Sequence, residues 1–424
     1  MTAPVHVSNG SSVHNDSSKG PLAGIRILDL TSVVLGPLAT QVLGDYGAEV
    51  IKIEGHDGDL MRANGVSRNQ GMSSIFLAIN RNKRSLAVDL KKTEGRRIFL
   101  ELAARADVVI HNMRMAAIKR LHLDYDTVRE VNPNVIYCSA TGFGQEGPDR
   151  SRPALDDIVQ AACGLSGLLE DAHGKPEYVP TLVADKTAGM AIVNAVLAAL
   201  FHRQRSGVGQ HLEVPMFETM VEFTMAEHMG GRTFIPQFGP VGYQRIMHGG
   251  RRPLRVKDGS VTILPYNPPH WQALFNALGR TDILEKYKLS NRSELNAQIR
   301  ALYNELEAIG ITRTAQEWID ICDSLDIPAT KIYHIDELHT HPQLQAVGMF
   351  QSMEHPSEGL INYVRPAVRF QQTPASVRMA APLLGQHTVD ILQEIGYSSG
   401  RIRKLYEKGV VKGTARRGDA ASGV

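Results

Sequence analysis

From residue 24 onward, short runs rich in Val, Ile and Leu alternate with longer stretches whose apolar spacing is typical of helices. The runs are GIRILDL, AEVIKIE, SLAVDL, ADVVIHN and VIYCSAT, and helical stretches such as ATQVLGDYG and GRRIFLELAARA lie between them. This alternation predicts βαβ units, in which helices cover the faces of a parallel sheet. The sequence therefore favours an α/β fold of the nucleotide-binding type.

The ends of the predicted strands are where a ligand is expected, because open parallel sheets bind ligands beyond the carboxyl ends of their strands. The loops TSVVLGP and HNMRM follow the first and fourth runs. A dinucleotide is disfavoured, since GIRILDL is not followed by the G-x-G-x-x-G turn that brings backbone amides to a pyrophosphate. Walker A, H-E-x-x-H and G-x-S-x-G patterns are also absent, which argues against P-loop NTPases, zincin proteases and common serine hydrolases.

A change of composition near residue 225 divides the chain. The stretch GGRTFIPQFGPVGYQRIMHGGRRPLR is rich in Gly and Pro, and one predicted strand and three helical patterns follow it. We predict a large domain at 21–224, a small α+β domain with its linkers at 225–350, and a C-terminal return to the large domain at 351–408. The polar segments 1–20 and 409–424 are predicted to be disordered tails.

Charge and cysteine content limit the partners. With 46 basic and 44 acidic residues, the net charge of +2 provides no field that would gather nucleic acid. Three scattered cysteines fit neither a disulfide framework nor a metal site, and the first residues lack a secretion or transit signal. The apolar run 188–201 is shorter than the roughly 18 residues that cross a bilayer. We therefore expect a cytoplasmic protein without nucleic-acid, membrane or metal partners.

One acid, Asp185, lies between a short apolar run and a long alanine-rich one in PTLVADKTAGMAIVNAVLAAL. Burial of a carboxylate without a partner is costly, so its position requires a reason. It could cap the helix that follows by accepting backbone N–H bonds at the positive end of the helix dipole. Alternatively, a carboxylate beside apolar surface and free amides can act as a nucleophile with a nearby oxyanion site. The sequence pattern by itself leaves both interpretations open.

Two further groups of residues have a structural and a functional interpretation. Asp156 and Asp157 precede the small-residue stretch IVQAACGLSG and could cap it, whereas a general-base or positioning role for Asp156 requires proximity to Asp185. Basic residues of the large domain are most simply solvated surface groups. Those at strand ends would suit an anion such as a nucleotide diphosphate. The basic set comprises Lys52, Lys83, Arg84, Lys91, Lys92, Arg114, Lys119 and Arg120.

Longer segments resemble one family. PLAGIRILDLTSVVLGPLATQVLGDYGAEVIKIE, NRNKRSLAVDL, NPNVIYCSATGFGQEGP, ADKTAG, SGVGQHLEVPMFET and HPQLQAVGMF occur in the order typical of the class III CoA-transferases. That family includes formyl-CoA transferase and carnitine CoA-transferase, with α-methylacyl-CoA racemase as a relative. The resemblance extends over roughly residues 20–400.

The resemblance implies a fold, a substrate and a site. It implies a Rossmann-like large domain with a parallel sheet, a smaller α+β domain and an interlocked homodimer. Coenzyme A or acyl-CoA would be a substrate, with no permanently bound cofactor. Asp185, followed by Gly189 in the D-x-x-x-G segment, would be the nucleophile, and Asp156 is a weaker candidate for a positioning role. The implied CoA contacts are Val34, Leu35, Val88, Lys91, Asn112, Met113 and Arg120.

The implied activity moves CoA from an acyl-CoA donor to a carboxylic acid through aspartyl anhydride and aspartyl-CoA thioester intermediates. A small dicarboxylic acid is the expected acceptor, because arginines of the second region would suit its distal charge. These are Arg232, Arg245, Arg251 and Arg252. The alternatives are a 2-methylacyl-CoA racemase or epimerase and a non-catalytic acyl-CoA-binding protein. Retention of Asp185 argues against the latter.

Three parts of the chain depart from the family pattern. Gly55 replaces an arginine that some transferases have after the K-I-E segment, and a glycine-rich loop is reduced to His248, Gly249 and Gly250. At position 156 the racemases have a histidine, whereas this chain has Asp156. Since a racemase needs an acid and a base on opposite faces of the α-carbon, this change disfavours the racemase alternative.

Overall fold

The computed structural model describes residues 20–247 and 250–413. These residues form two compact units, the first comprising 20–159, 181–220 and 348–413, and the second 160–180 and 221–347 without the gap. The predicted tails lie largely outside the described residues. The boundary predicted at 409 is wrong, however, because the last strand, Val411–Lys412, pairs with a strand of the main sheet.

The strands are, in chain order, β1 (Arg26–Leu30), β2 (Glu49–Glu54), β3 (Lys83–Val88), β4 (Val108–His111), β5 (Ile136–Thr141), β6 (His211–Pro215), β7 (Leu254–Val256), β8 (Gly259–Ile263), β9 (Ala329–Lys331), β10 (Phe350–His355), β11 (Gly359–Val364) and β12 (Val411–Lys412). The helices are α1 (Leu35–Asp45), α2 (Ser74–Ile79), α3 (Thr93–Ala103), α4 (Met115–Arg120), α5 (Tyr125–Val131), α6 (Asp156–Ala162), α7 (Leu165–His173), α8 (Val183–Ser206), α9 (Met216–His228), α10 (Gln244–Met247), α11 (Pro268–Ala277), α12 (Thr281–Lys286), α13 (Arg292–Gly310), α14 (Ala315–Ser324), α15 (Pro342–Ala346), α16 (Thr388–Glu394) and α17 (Ser399–Glu407).

The first unit is built on a seven-stranded sheet with the order β12-β3-β2-β1-β4-β5-β6. All neighbours are parallel except β12, which pairs antiparallel with β3. The order β3-β2-β1-β4-β5-β6 is the one typical of doubly wound nucleotide-binding folds, whose ligand crevice lies where the strand order reverses, between β1 and β4. The five strands predicted from apolar runs are confirmed, and the α/β fold with them.

The second unit contains an antiparallel sheet, β7-β8-β9, and a core of its own. Trp271 of α11 and Trp318 of α14 are fully buried in that core. The predicted small domain at 225–350 overlaps this unit but omits 160–180. In the predicted C-terminal return, the hairpin of β10 and β11 precedes two helices, α16 and α17.

Helix α8 is 24 residues long and is followed by Gly207, whose left-handed φ of 76° is typical of the residue that caps a helix C-terminus. By length and composition alone it could cross a membrane. Its buried face, which includes Ala188, Ile192 and Val196, packs against α1 of the first unit. The helix thus contributes to the core of the parallel-sheet unit.

Charged side chains are buried between the sheet and α1. Asp29 of β1 is fully buried, and its carboxylate accepts bonds from the Thr31 backbone, the Thr31 and Thr40 hydroxyls, and Lys83 Nζ at 3.0 Å. Lys83 Nζ also donates to Pro37 O and to an Asn80 side-chain oxygen, so its three donors are satisfied.

A second buried pair joins Lys52 Nζ to Asp59 Oδ2 at 2.8 Å.

Burial disfavours the ionised form of Asp29, but the positive charges of Lys83 and Lys52 outweigh this effect and hold the pKa of Asp29 far below its usual value. Burial also lowers the pKa of Lys83 to about 8, against the attraction of Asp29. The interpretation of Lys52 and Lys83 as solvated surface residues is therefore wrong.

Replacing Lys83 with Met is expected to leave the Asp29 carboxylate without its contacting cation and to lower the free energy of unfolding by about 3–5 kcal/mol. Urea titration followed by circular dichroism measures the change. The control is Lys404→Met on an exposed position of α17, which is expected to change that free energy by less than about 0.5 kcal/mol. Equal stabilities of the two variants would contradict a structural role for the buried pair.

Candidate active site

A cleft of about 410 Å³ opens beside the carboxyl ends of β1, β2 and β3 in the first unit. Its lining includes Thr31 and Ser32 after β1, Gly55 after β2, Lys91 after β3, and Met113 after β4. The cleft therefore lies at the end of the sheet where ligands bind in open parallel folds. A Cβ added at Gly55 would meet no atom within 4 Å. The place where some transferases have an arginine is therefore open space in this protein.

The loop from β1 to α1 is held by side chains from elsewhere. Asn112 accepts the Ser32 N–H through Oδ1 at 3.0 Å and donates from Nδ2 to Ser32 O at 2.7 Å. Lys52 Nζ donates to Thr31 O at 2.9 Å. The Asn112 amide, expected to contact CoA, thus binds the backbone of a cleft residue and shapes the loop.

The structure brings together only some of the residues implied as CoA contacts. Val88, Lys91 and Met113 line the cleft. Val34 and Leu35 are buried at the start of α1, and the Val34 side chain packs in a core cluster with Phe76. Arg120 is exposed at the end of α4 and does not line the cleft. The CoA-binding roles of all these residues remain predictions. Because the side chains of Val34 and Leu35 are buried, these two residues would contact a ligand through their backbone.

Asp185 is the third residue of α8 and is 8% exposed. Its side chain does not cap the helix, because the cap position is Leu182, which has no side-chain cap bond. Instead, Asp156 Oδ2 accepts the Asp185 N–H at 2.9 Å. The carboxylate that caps α8 therefore comes from the first residue of α6, 29 positions earlier in the chain.

The two carboxylates influence each other. Burial, and next the negative charge of Asp156, raise the pKa of Asp185 from 3.8 to about 6. Asp156 is itself 4% exposed. Perturbed carboxylates of this kind cluster at functional sites, since a site must tune protonation to its chemistry. The proximity required for a positioning role of Asp156 is present, while Asp157 is exposed on the same helix.

Gly189 places the Asp185 face of α8 next to α1. Residues four apart lie on the same face of a helix, so Gly189 stands one turn beyond Asp185. A Cβ at Gly189 would lie 2.8 Å from Leu35 O, closer than real contacts allow. The glycine thus permits α8 to approach the first residue of α1, and this explains the D-x-x-x-G spacing in packing terms.

Two histidines of the parallel sheet, His111 and His211, lie close together. His111 is buried and its Nε2 contacts Ser139 Oγ, which also contacts His211 Nε2, both at 2.9 Å. Burial and the neighbouring His211 lower the pKa of His111 to about 4, which suits a structural role. Within 20–247 and 250–413, no group of three or more His, Cys, Asp or Glu side chains is placed to hold a metal.

The arginines expected near an acceptor acid all lie in the second unit. Arg252 is paired with Glu307, and Arg232 is exposed. Arg245 lies over the Tyr266 ring at 5.1 Å, with a buried Nε that has no partner in the part of the chain described. In the shortened glycine loop, His248 and Gly249 lie outside the described residues, and Gly250 has a φ of 69°.

The first unit thus combines an α/β fold, a cleft at the carboxyl ends of its strands, and a buried carboxyl group of raised pKa, Asp185, in the first turn of a helix. The family model CoA-transferase family III matches residues 22–388. The chain belongs to this family and is a class III CoA-transferase, as the sequence resemblance predicted.

Individual relatives agree with this assignment. The chain is 33% identical over 423 residues to the acyl-CoA transferase of Fusarium pseudograminearum (strain CS3096), covering 95% of this chain and 91% of that protein. It is 33% identical over 412 residues to succinyl-CoA:glutarate CoA-transferase of Mus musculus, covering 94% and 91%. The crystal structure of Rv3272 from Mycobacterium tuberculosis matches with a TM-score of 0.75 at 32% identity, covering 88% of this chain and 99% of that one.

Replacing Asp185 with Asn is expected to stabilise the protein at neutral pH. Because folding raises the pKa of Asp185, the folded state favours the neutral acid, and the ionised form costs stability. This cost grows as the pH rises from 3.8 and is complete above pH 6, where it amounts to roughly 2–3 kcal/mol.

Urea unfolding of wild type and variant from pH 4 to pH 8 measures the difference, which is expected to vanish near pH 4. Asp157→Asn removes a charge from the exposed neighbour and is expected to have no such pH-dependent effect. A stability difference between Asp185→Asn and wild type that does not change with pH would contradict the raised pKa.

Proposed function

We propose that this protein moves CoA from an acyl-CoA donor, with succinyl-CoA as the first candidate, to a small dicarboxylic acid such as glutarate. The observation that carries the proposal is the buried Asp185 carboxyl group, with its raised pKa, in the first turn of α8 beside Asp156. The donor and acceptor classes are those in the name of the mouse relative.

In the proposed reaction, a carboxylate oxygen of Asp185 attacks the thioester carbonyl of the donor. The C–S bond breaks, which leaves a mixed anhydride on Asp185 and a CoA thiolate. The thiolate attacks the Asp185 side-chain carbonyl, releases the donor acid and forms an aspartyl-CoA thioester. The acceptor carboxylate then attacks this thioester to give a second anhydride. The returning thiolate takes the acceptor acyl group and restores the Asp185 carboxylate.

Surroundings of Asp185 suit this sequence of steps. Anhydrides and thioesters hydrolyse if water enters, and Asp185 is largely buried on the face of α8 that also buries Ala188 and Ile192. The Lys186 N–H donates to Leu182 O at 3.1 Å inside the helix, so other backbone N–H groups are proposed to stabilise the oxyanions. We assign Asp156 a positioning role, since its bond to the Asp185 N–H fixes the first turn.

The cleft beside β1, β2 and β3 is proposed to hold the CoA donor. Lys91, exposed at its edge, offers a cation for a phosphate, and Met113 and Val88 offer apolar contact. An arginine contact with the distal carboxylate of the acceptor stays a prediction from the sequence, and among the four candidates Arg245 has a buried Nε without a partner in the described parts of the chain.

Incubation with succinyl-CoA is expected to leave a hydroxylamine-sensitive adduct on the peptide that contains Asp185, detected by mass spectrometry. Asp185→Ala is expected to lose both the adduct and CoA transfer to glutarate. The control is Asp157→Ala, at an exposed position, which is expected to retain both. Normal transfer by Asp185→Ala would end this proposal.

We also propose a cytoplasmic, interlocked homodimer. Apolar side chains of the first unit, Leu155, Leu182, Met190 and Phe201, are exposed in the single chain, and a partner would cover such surface. All three cysteines are buried free thiols, which suits a reducing compartment.

Sedimentation velocity at micromolar concentration is expected to give a species of twice the chain mass. Its unfolding midpoint should rise with protein concentration, because association stabilises the folded state. Met190→Glu is expected to weaken association, whereas Lys404→Glu, a charge change at an exposed position of α17, is not. A monomer with full transfer activity would contradict the homodimer.

A further inference from the structure

The loop that joins β1 to α1 has a strained backbone at Val33. Its φ of 72° lies in the left-handed region, which a β-branched residue enters only at a cost. Val33 directly precedes Val34 and Leu35, the positions assigned to CoA binding. The conformation of Val33 therefore determines how the backbone of Val34 and Leu35 is presented.

A bond to a buried carboxylate accompanies the strained residue. The Val33 N–H donates to Asp59 Oδ1 at 3.1 Å, and the Met61 N–H donates to the same oxygen at 2.9 Å. Asp59 lies in the turn after β2, so its side chain joins two segments that border the same cleft. Its position is fixed in turn by its own N–H, which donates to Glu54 Oε1 at 3.1 Å.

Lys52 completes the contact. Its ammonium group donates both to Asp59 Oδ2 at 2.8 Å and to Thr31 O at 2.9 Å, and the two side chains are 0% and 1% exposed. The pair thus binds the loop at two points, Thr31 O and the Val33 N–H. A buried ion pair is often no more stabilising than an apolar pair of the same size, so stability alone does not account for it.

We propose that Asp59, held in place by Lys52, is a positioning residue that keeps Val33 left-handed and so maintains the CoA-binding form of the loop. The inference rests on the proposed function in that this loop binds CoA. Asp59 does not touch the reacting atoms in this scheme. It acts through Val33, whose backbone would relax toward an extended conformation without the bond.

Asp59→Asn tests this role, since the variant has one acceptor oxygen in place of two: with that oxygen toward the Lys52 ammonium group, the amide nitrogen faces the Val33 N–H and cannot accept from it. The Kd of free coenzyme A, measured by calorimetry, is expected to rise about tenfold, equivalent to about 1.4 kcal/mol. The KM for succinyl-CoA should rise by a similar factor, with kcat changed by less than about twofold. Asp59→Glu, which keeps the charge opposite Lys52, is a second variant with the same expected loss if Asp59→Asn does not fold.

A second substitution, Val33→Gly, distinguishes a loss of loop positioning from a general loss of stability. Glycine adopts positive φ without a side-chain penalty, so adding Val33→Gly to either Asp59 variant is expected to restore most of the CoA affinity. The matched control is Asp45→Asn, which breaks a buried pair with Arg81 away from this loop. It should lower stability, leave the Kd for CoA unchanged and gain nothing from Val33→Gly.

Two results would overturn the inference while leaving the proposed function intact. One is wild-type affinity for CoA in Asp59→Asn or Asp59→Glu, and the other is a loss that Val33→Gly does not reverse. A wild-type protein that binds no coenzyme A would instead reject the proposed CoA site, and this inference with it.

Discussion

The buried contact between Asp29 and Lys83 fixes the geometry on which the ligand cleft depends. Asp29 is at the end of β1, and its carboxylate also binds the backbone and hydroxyl of Thr31, the first residue of the loop to α1. Lys83 reaches from β3 to Pro37 O in α1. One ion pair therefore ties two strands, the loop and the helix. Since removal of one partner leaves a charge buried without compensation, the arrangement tolerates little displacement.

A different electrostatic solution occurs at Asp185. Here burial, and next the negative charge of Asp156, raise the pKa of Asp185 to about 6, whereas the pKa of Asp29 is lowered. Like charges near each other are unfavourable for folding, but they keep a carboxyl group close to its titration point at neutral pH. The buried contacts of Asp29 thus make the strand ends rigid, whereas the raised pKa of Asp185 suits the nucleophilic role proposed for it. Gly189 connects them, because it allows α8 to approach the first residue of α1.

Predictions from the sequence succeeded where the signal is local. Runs of branched apolar residues give buried parallel strands, and β1 to β5 were predicted on that basis. Strand β6 was not, because only one of its five residues is buried and its sequence, HLEVP, lacks an apolar run. The interpretation of Lys52 as a surface residue was wrong, because it overlooked the apolar residues on both sides of the lysine. EVIKIE is a strand covered on both faces, so a lysine within it needs a buried partner.

The sequence by itself determined the α/β order of elements, the family, and the place of Asp185 near the start of a long apolar helix, because these follow from periodicity and motif. Only the tertiary structure decided that Asp156 caps the helix of Asp185, that Asn112 binds the Ser32 backbone, and that Val33 is left-handed. Asp156 and Asp185 are 29 positions apart, and Asn112 and Ser32 are 80 positions apart. The N–H of Val33 bonds to Asp59, which lies 26 positions further along the chain. Local propensity carries no information about such pairs, since long-range packing sets which side chains meet.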